Sequence, residues 1–291
     1  MERTTALSLP DGRSLDLYVV GEENAPTLVF HNGTPSSGMP SPDILAVAQQ
    51  LGLRHVSWSR PGYGSSTRQA GRTVASVVAD TAAVLDYLGA ETCHVLGWSG
   101  GGPHALGCGA LLRDRVKGVA TIAGVAPYPA DGLDWTDGMG AENVEEFGAA
   151  LAGPAALIGF KERAWPIFRA ITATDAAEAL GDLIDDVDRG SLREDFAEWF
   201  AQTVREGLRE SYWGWFDDDM AFVRPWGFEL GSIGVPVHVW QGAHDRMVPY
   251  AHGQWLVSHI PNAVPHLHPE HGHLTLAVDS IARILGELID P

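Results

Sequence analysis

The chain has 291 residues, of which 45% are hydrophobic, so it can bury one large core and carry a smaller inserted unit. Its 37 acidic and 19 basic residues give a net charge of −18, which repels phosphate backbones and anionic lipid headgroups. Neither nucleic acid nor a membrane is therefore expected as a partner, and no apolar run reaches the roughly 18 residues that a membrane span needs.

Short apolar and β-branched runs bounded by glycine, proline or asparagine predict seven strands. These runs are residues 14–20, 27–31, 54–58, 92–97, 118–124, 235–241 and 263–268. Helical periodicity lies between them at residues 44–51, 74–88, 103–112, 252–259 and 274–288. Several strands are continuous apolar runs, and strands alternate with helices. We therefore predict an α/β fold with a doubly wound, mostly parallel sheet.

The pattern changes between residues 127 and 232. Helical periodicity at 142–152, 154–172, 176–187 and 192–209 continues there without a convincing strand. Residues 131–229 hold 22 acidic against 8 basic residues, and six of the ten tryptophans. This stretch is too long and too regular for a connecting loop. We predict a helical cap of residues 127–232, inserted into a sheet domain made of residues 1–126 and 233–291.

A candidate nucleophile stands in the sequence Gly97-Trp98-Ser99-Gly100-Gly101, which satisfies the pattern GxSxG. The small residues two before and two after the serine allow a sharp turn from a strand into a helix, and this turn exposes the hydroxyl. A strand-like run precedes the pattern, and Pro103 follows near the first helical position. Both neighbours favour a nucleophile elbow over an ordinary glycine-rich turn.

With this elbow, four further segments make the chain resemble the α/β-hydrolase superfamily over nearly its whole length. They are FHNGTP at 30–35, RPGYGSS at 60–66, VWQGAHDRMVP at 239–249 and EHGHLTL at 270–276. The resemblance implies a serine hydrolase that needs no cofactor, with an oxyanion loop in the first segment. Segment 60–66 is expected only to shape a loop beside the site.

A serine hydroxyl needs a base and an orienting acid, and this fold supplies them in the order Ser, Asp, His. Asp245 lies just beyond a strand, where open α/β sheets present catalytic groups. His273 is the base that the resembled motif indicates, with His271 as the alternative. The oxyanion is expected to bind the backbone N–H groups of Thr34 and Gly100.

A metal site is the less favoured interpretation of the histidine-rich end of the sheet. His266 and His268 share one strand face and could ligate a metal together with Glu270. No helical HExxH pattern or third ligand of clear spacing accompanies them. Dinucleotide fingerprints and P-loops do not occur either, so we expect no metal and no cofactor.

The predicted cap bears on the substrate. Trp98 and Trp226 are candidates for lining a substrate pocket, although packing is the commoner use of such residues. The run Asp217-Asp218-Asp219 is expected on a solvated face. The cap's acidity disfavours polyanions, which predicts a neutral carboxylic ester, thioester or lactone of small to medium size.

Other functions remain compatible with the same motifs. An aminopeptidase or a cofactor-free C–C bond hydrolase would use the same three residues, and a small-molecule receptor could keep the fold without the chemistry. The first ten residues lack the apolar core of a signal peptide, and two cysteines are too few for a disulfide framework. We expect a cytoplasmic enzyme with a small-molecule substrate, as a monomer or a homodimer.

Overall fold

The structure is a computed structural model that describes residues 3–290. Its one sheet has eight strands in the order β1-β2-β4-β3-β5-β6-β7-β8. The strands are β1 (Arg3–Ser8), β2 (Ser14–Val20), β3 (Thr27–His31), β4 (Arg54–Trp58), β5 (Cys93–Trp98), β6 (Val116–Ile122), β7 (Val237–Gly242) and β8 (Ala263–His268). Strands β3 to β8 pair in parallel, and β1 and β2 join antiparallel at one edge. The predicted doubly wound, mostly parallel sheet is confirmed.

Eleven helices accompany the sheet in the described part of the chain. They are α1 (Pro42–Gln50), α2 (Ser76–Leu88), α3 (Gly102–Leu111), α4 (Ala141–Ala152), α5 (Pro154–Phe168), α6 (Ala176–Leu180), α7 (Asp186–Arg189), α8 (Glu194–Gly207), α9 (Trp213–Phe222), α10 (Tyr250–His259) and α11 (His273–Ile289). None of these helices is long and apolar enough to cross a membrane.

Two apolar cores cover the faces of the sheet. One lies between the strands and helices α2, α3 and α10, and the other between the strands and helices α1 and α11. Every residue of β3, β4 and β7 is buried. Burial on both faces explains why these strands lack a regular apolar–polar alternation, and it extends to polar side chains such as His55 and Ser57. The parallel strands bring the carboxyl ends of β3, β5 and β7 to one edge of the sheet, where ligands of open α/β sheets bind.

Helices α4 to α9, residues 141–222, lie between β6 and β7 in the chain, and we call them the helical segment. Between Ile122 and Val237 the structure shows helices and loops only. The predicted helix 176–187 is interrupted, because Gly181 adopts a φ of 50° and Ile184 is extended. The division into a sheet domain and a cap at residues 127 and 232 stays a proposal.

Two elements were not predicted. Strand β1 is a short edge strand with a single neighbour, and its sequence RTTALS shows little apolar alternation. Helix α9 carries three consecutive aspartates, which the sequence analysis placed on a solvated face. All three side chains are buried, so that prediction is wrong.

Candidate active site

Ser99 stands at the turn between β5 and α3. Its φ of 54° lies in the left-handed region, which is costly for a residue with a side chain. The turn leaves no room for neighbouring side chains. A Cβ atom on Gly97 would lie 2.8 Å from the Cβ of Ala105, and one on Gly101 would overlap the carbonyl group of His31. The glycines of the GxSxG pattern are therefore required by close backbone approach.

Asp245 and His273 come together from the ends of β7 and β8. Nδ1 of His273 lies 2.8 Å from Oδ2 of Asp245. The other carboxylate oxygen, Oδ1, accepts hydrogen bonds from the backbone N–H groups of Met247 (2.9 Å) and Val248 (2.7 Å), and Gln241 donates to Oδ2 at 3.0 Å. The carboxylate is thus fixed in the orientation in which it meets the imidazole.

Burial and charge act on His273 in opposite directions. Burial lowers the pKa of His273, but the carboxylate of Asp245 outweighs it, so the pKa is raised above its ordinary value of 6.5. His271, the alternative base, does not line the cavity that contains Ser99 and His273. Its carbonyl group accepts from the backbone N–H of His244, and its ring meets His268 edge to face.

The helical segment reaches the start of α11 through Asp188. This fully buried carboxylate accepts from the backbone N–H groups of His273, Leu274 and Thr275 at 2.7, 2.9 and 2.9 Å. It also accepts from the hydroxyl of Thr275 at 2.9 Å. The N-terminus of a helix has unpaired N–H groups and a partial positive charge, so a carboxylate there is stabilising. Sequence reasoning missed this residue, because nothing in its local pattern shows that it reaches α11.

The two predicted oxyanion residues lie side by side. A Cβ atom on Gly100 would collide with the side chain of Thr34, so these backbones approach closely. A Cβ atom on Gly33 would likewise lie 3.4 Å from the Cβ of Ser99. The loop that contains Thr34 is therefore packed against the turn at Ser99.

Arg60 and Asp218 form hydrogen bonds with the loop that contains Thr34. Arg60 donates to the carbonyl groups of Asn32 and Gly33 and to the hydroxyl of Thr34. The Thr34 hydroxyl donates in turn to Oδ2 of Asp218 at 2.7 Å, and Arg60 pairs with the same carboxylate at 2.6 Å. The sequence analysis gave segment 60–66 a role in loop shape only. The structure adds a direct contact between Arg60 and the candidate oxyanion loop.

Asp218 is the centre of a buried charge cluster. Its partners also include Arg72 at 2.6 Å, the Tyr63 hydroxyl at 2.8 Å and His104 at 3.4 Å. Burial alone would raise the pKa of Asp218, but the two guanidinium groups hold it well below its usual range. A signal in the sequence was available, since three arginines between residues 60 and 72 precede a highly apolar helix that carries three aspartates.

One cavity connects Ser99, His273, Thr34 and Gly100. The space between these residues, counted together with the part that is open to solvent, is about 930 Å³. Much of its wall is apolar and comes from the helical segment, including Phe147, Phe168, Leu180, Leu183, Trp199, Phe200, Trp215 and Phe222. Polar side chains of the same segment, among them Asn143, Glu146 and Asp219, also reach it.

The two tryptophans assigned to substrate binding differ in position. Trp98 lines the cavity and stacks on Trp199 with ring centroids 6.0 Å apart. Trp226 does not line it. Its ring is buried in the core beside Phe228, and its Nε1 donates to the carbonyl group of Phe222 at 3.3 Å. The assignment of Trp226 to the substrate pocket is therefore corrected to a packing role.

The histidines near β8 group differently from the predicted set. His266 lies with His238 and Glu287, whose potential ligand atoms are all within 4.8 Å of one another. Glu270 is exposed and is not part of this group. Two imidazoles and a carboxylate are a donor set that suits zinc, but these residues lie apart from the cavity that holds Ser99.

Comparisons with known proteins identify the fold family of the chain. The family model described as alpha/beta hydrolase fold matches residues 26–279. The chain is 25% identical over 294 residues to an uncharacterized hydrolase of Bacillus subtilis, covering 94% of this chain and 93% of that protein. It is 26% identical over 251 residues to 3-oxoadipate enol-lactonase 1 of Acinetobacter baylyi, covering 86% and 82%. A solved hydrolase from Pseudomonas aeruginosa has a TM-score of 0.72 at 19% identity over 99% of both chains.

Proposed function

Because the chain belongs to the alpha/beta hydrolase fold family and is a hydrolase, we propose that it cleaves a carboxylic ester, thioester or lactone of small to medium size. Ser99 is the nucleophile, His273 the general base, and Asp245 the acid that orients the imidazole. The observation that carries this proposal is the shared cavity. Ser99, at its left-handed turn, and His273, bonded to Asp245, both line it.

The reaction follows from these positions. Nε2 of His273 takes the proton of the Ser99 hydroxyl as its oxygen attacks the substrate carbonyl carbon. The backbone N–H groups of Thr34 and Gly100 stabilise the resulting oxyanion. His273 then gives the proton to the leaving alcohol or thiol, and an acyl-enzyme remains on Ser99. Water, activated by the same imidazole, releases the acid and restores the enzyme.

The contact between Asp245 and His273 favours hydrolysis over a receptor function. A receptor needs a cavity, but it does not need a carboxylate that three hydrogen bonds fix against an imidazole. This arrangement is what a general base requires, because the carboxylate sets its tautomer and stabilises the imidazolium.

A fluorescent fluorophosphonate and a series of p-nitrophenyl esters test the proposal together. The wild-type protein is expected to be labelled and to hydrolyse the esters, and Ser99→Ala is expected to do neither. His273→Ala should lose most of the activity, whereas the matched variant His271→Asn should keep it. Full activity in Ser99→Ala, or loss of activity in His271→Asn with His273→Ala unaffected, would refute the assignment.

A further inference from the structure

Four buried side chains of the helical segment form a polar cluster beside the cavity. Glu146 of α4, Lys161 of α5, and Trp215 and Asp219 of α9 are each at most 7% exposed. Nζ of Lys161 lies 2.5 Å from Oε1 of Glu146, pairs with Asp219, and sits 3.5 Å from the centre of the Trp215 ring. Nε1 of Trp215 donates to Glu146 at 2.5 Å. Lys161 is thus the single cation shared by two carboxylates.

The cluster has more acceptors than donors. Oδ1 of Asp219 is buried and accepts no hydrogen bond from an N–H or O–H group of the described residues. The Glu146 carboxyl lies within hydrogen-bond reach of the Asp219 carboxyl, but it brings a further acceptor and no N–H donor. The two preceding aspartates differ from Asp219, which shares its one cation with Glu146. Asp217 pairs with Arg68, and Asp218 pairs with both Arg60 and Arg72. Buried polar atoms of folded proteins are nearly always paired, so an unpaired carboxylate oxygen calls for a donor.

The charge of the cluster points in the same direction. Burial raises the pKa of Asp219 well above its ordinary value, and the neighbouring Glu146 raises it further. Two carboxylates and one ammonium leave one negative charge in excess, which a proton neutralises when the cluster is empty. A second cation in contact with Asp219 would take the place of that proton.

Glu146, Trp215 and Asp219 line the cavity that contains Ser99. We infer that the Glu146–Asp219 pair binds a primary or secondary ammonium group of the substrate, so that the hydrolysed ester carries an amine away from the scissile bond. This inference rests on the proposed function. It differs from the sequence prediction, which was a neutral ester, because it requires a positive charge on the substrate.

The residues present select an ammonium group over other polar groups. A phosphate or carboxylate would meet a pair of carboxylates and be repelled. A quaternary ammonium has no N–H to donate to Oδ1 of Asp219. An N–H⁺ donor gives charge-assisted hydrogen bonds to carboxylates, and the apolar walls nearby strengthen them by excluding water.

Paired substrates measure this preference. We would compare p-nitrophenyl esters of ω-amino acids with esters in which a methyl group replaces the ammonium, over a range of chain lengths. A second series would carry the ammonium on the alcohol side. At the best length, the wild type should prefer the ammonium ester about ten- to a hundredfold in kcat/KM, the usual effect of a hydrogen bond to a charged group.

Variants locate the preference in the cluster. Glu146→Gln and Asp219→Asn should each reduce the ratio of the two kcat/KM values to near one. The matched control is Glu145→Gln, since Glu145 is the exposed neighbour of Glu146 and pairs with Arg163 on the surface. The control should keep the wild-type ratio. A ratio that survives in both cluster variants, or a wild type that hydrolyses neutral esters at least as well, overturns the inference and leaves the proposed function intact.

Binding without turnover separates the two claims. Tryptophan fluorescence measures the binding of small ligands to Ser99→Ala. This variant should bind hexylammonium at least about tenfold more tightly than hexanol. Glu146→Gln in the same background should remove the difference. Equal binding overturns the inference. Tighter binding of the ammonium in a protein whose wild type hydrolyses no ester would support the subsite and refute the ester hydrolase.

Discussion

The sheet and the helical segment carry their charged groups in different ways. At the sheet, Ser99, Asp245 and His273 follow the ends of strands, and each lies in a short motif of glycines and small residues. In the helical segment the buried acids Glu146, Asp188, Asp218 and Asp219 lie within helices and belong to no short motif, although the apolar sequence around Asp218 and Asp219 is a sign of burial. Both sets lie at or beside the same cavity, and all of these residues except the partly exposed Ser99 are buried.

This difference teaches how to interpret the acidity of the segment. Its excess of acidic residues predicts a solvated surface, and Glu145 and Asp186 fit that expectation. Asp188 and Asp218 do not, because each accepts hydrogen bonds from outside the helical segment. Asp188 accepts from the start of α11, and Asp218 accepts from the hydroxyl of Thr34. Net charge thus describes the long-range field, whereas the role of each carboxylate depends on its partners.

The largest expected effect concerns the sheet. Asp245→Asn keeps the shape of the side chain but removes the charge that orients and stabilises His273. We expect kcat/KM for a p-nitrophenyl ester to fall by about 10³- to 10⁴-fold, with a smaller change in stability. Steady-state kinetics and urea unfolding check this. A fall of less than tenfold would show that the acid lies elsewhere.

The second prediction concerns the helical segment. Asp218→Asn leaves the buried guanidinium groups of Arg60 and Arg72 without their counter-charge. We expect the free energy of unfolding to fall by about 3–5 kcal/mol. Activity should fall as well, because the charge that holds Arg60 and the Thr34 hydroxyl in place is lost. Asp217→Asn is the matched variant and should cost less, since Asp217 pairs only with the partly exposed Arg68. Equal losses in the two variants would contradict the central place of Asp218.

The third prediction tests the link between the two regions. Asp188→Asn removes a carboxylate from the N-terminus of α11, and we expect a loss of about 1–2 kcal/mol in unfolding free energy. The charge of Asp188 also raises the pKa of His273, so the variant should move the acid limb of kcat/KM to lower pH. The exposed Asp186 of the same helix supplies the control Asp186→Asn, which should change neither quantity. An unmoved acid limb in Asp188→Asn would show that the helical segment does not act on the pKa of His273 through Asp188.

The smallest expected effect concerns the pH at which kcat/KM falls to half of its plateau value. His273 must be neutral to accept the proton of Ser99, and its pKa is raised above 6.5. The wild-type kcat/KM should therefore lose half its plateau value at a pH above 6.5 and continue to fall toward acid. A half-point below pH 6.5, measured with an ester whose own hydrolysis is independent of pH, would contradict the dominance of Asp245 over burial.

Sequence reasoning succeeded where local chemistry dictates the backbone. The fold and seven strands follow from apolar runs, and the turn at Ser99 follows from glycines that close packing requires. It failed where a contact is long-range. Asp218 meets Thr34 across 184 residues, and Asp188 meets His273 across 85. Trp226 illustrates the same limit, because composition does not reveal which tryptophans face a cavity and which fill a core.

Acyl-enzyme trapping tests the central claim most directly. The wild-type protein is mixed with a p-nitrophenyl ester, quenched with acid within the first turnover, and analysed by intact mass and peptide mapping. We predict a mass increase equal to the acyl group, located on the peptide that contains Ser99 and absent from Ser99→Ala. An acyl group on another residue, or ester hydrolysis by Ser99→Ala at the wild-type rate, would contradict the assignment of Ser99 as the nucleophile.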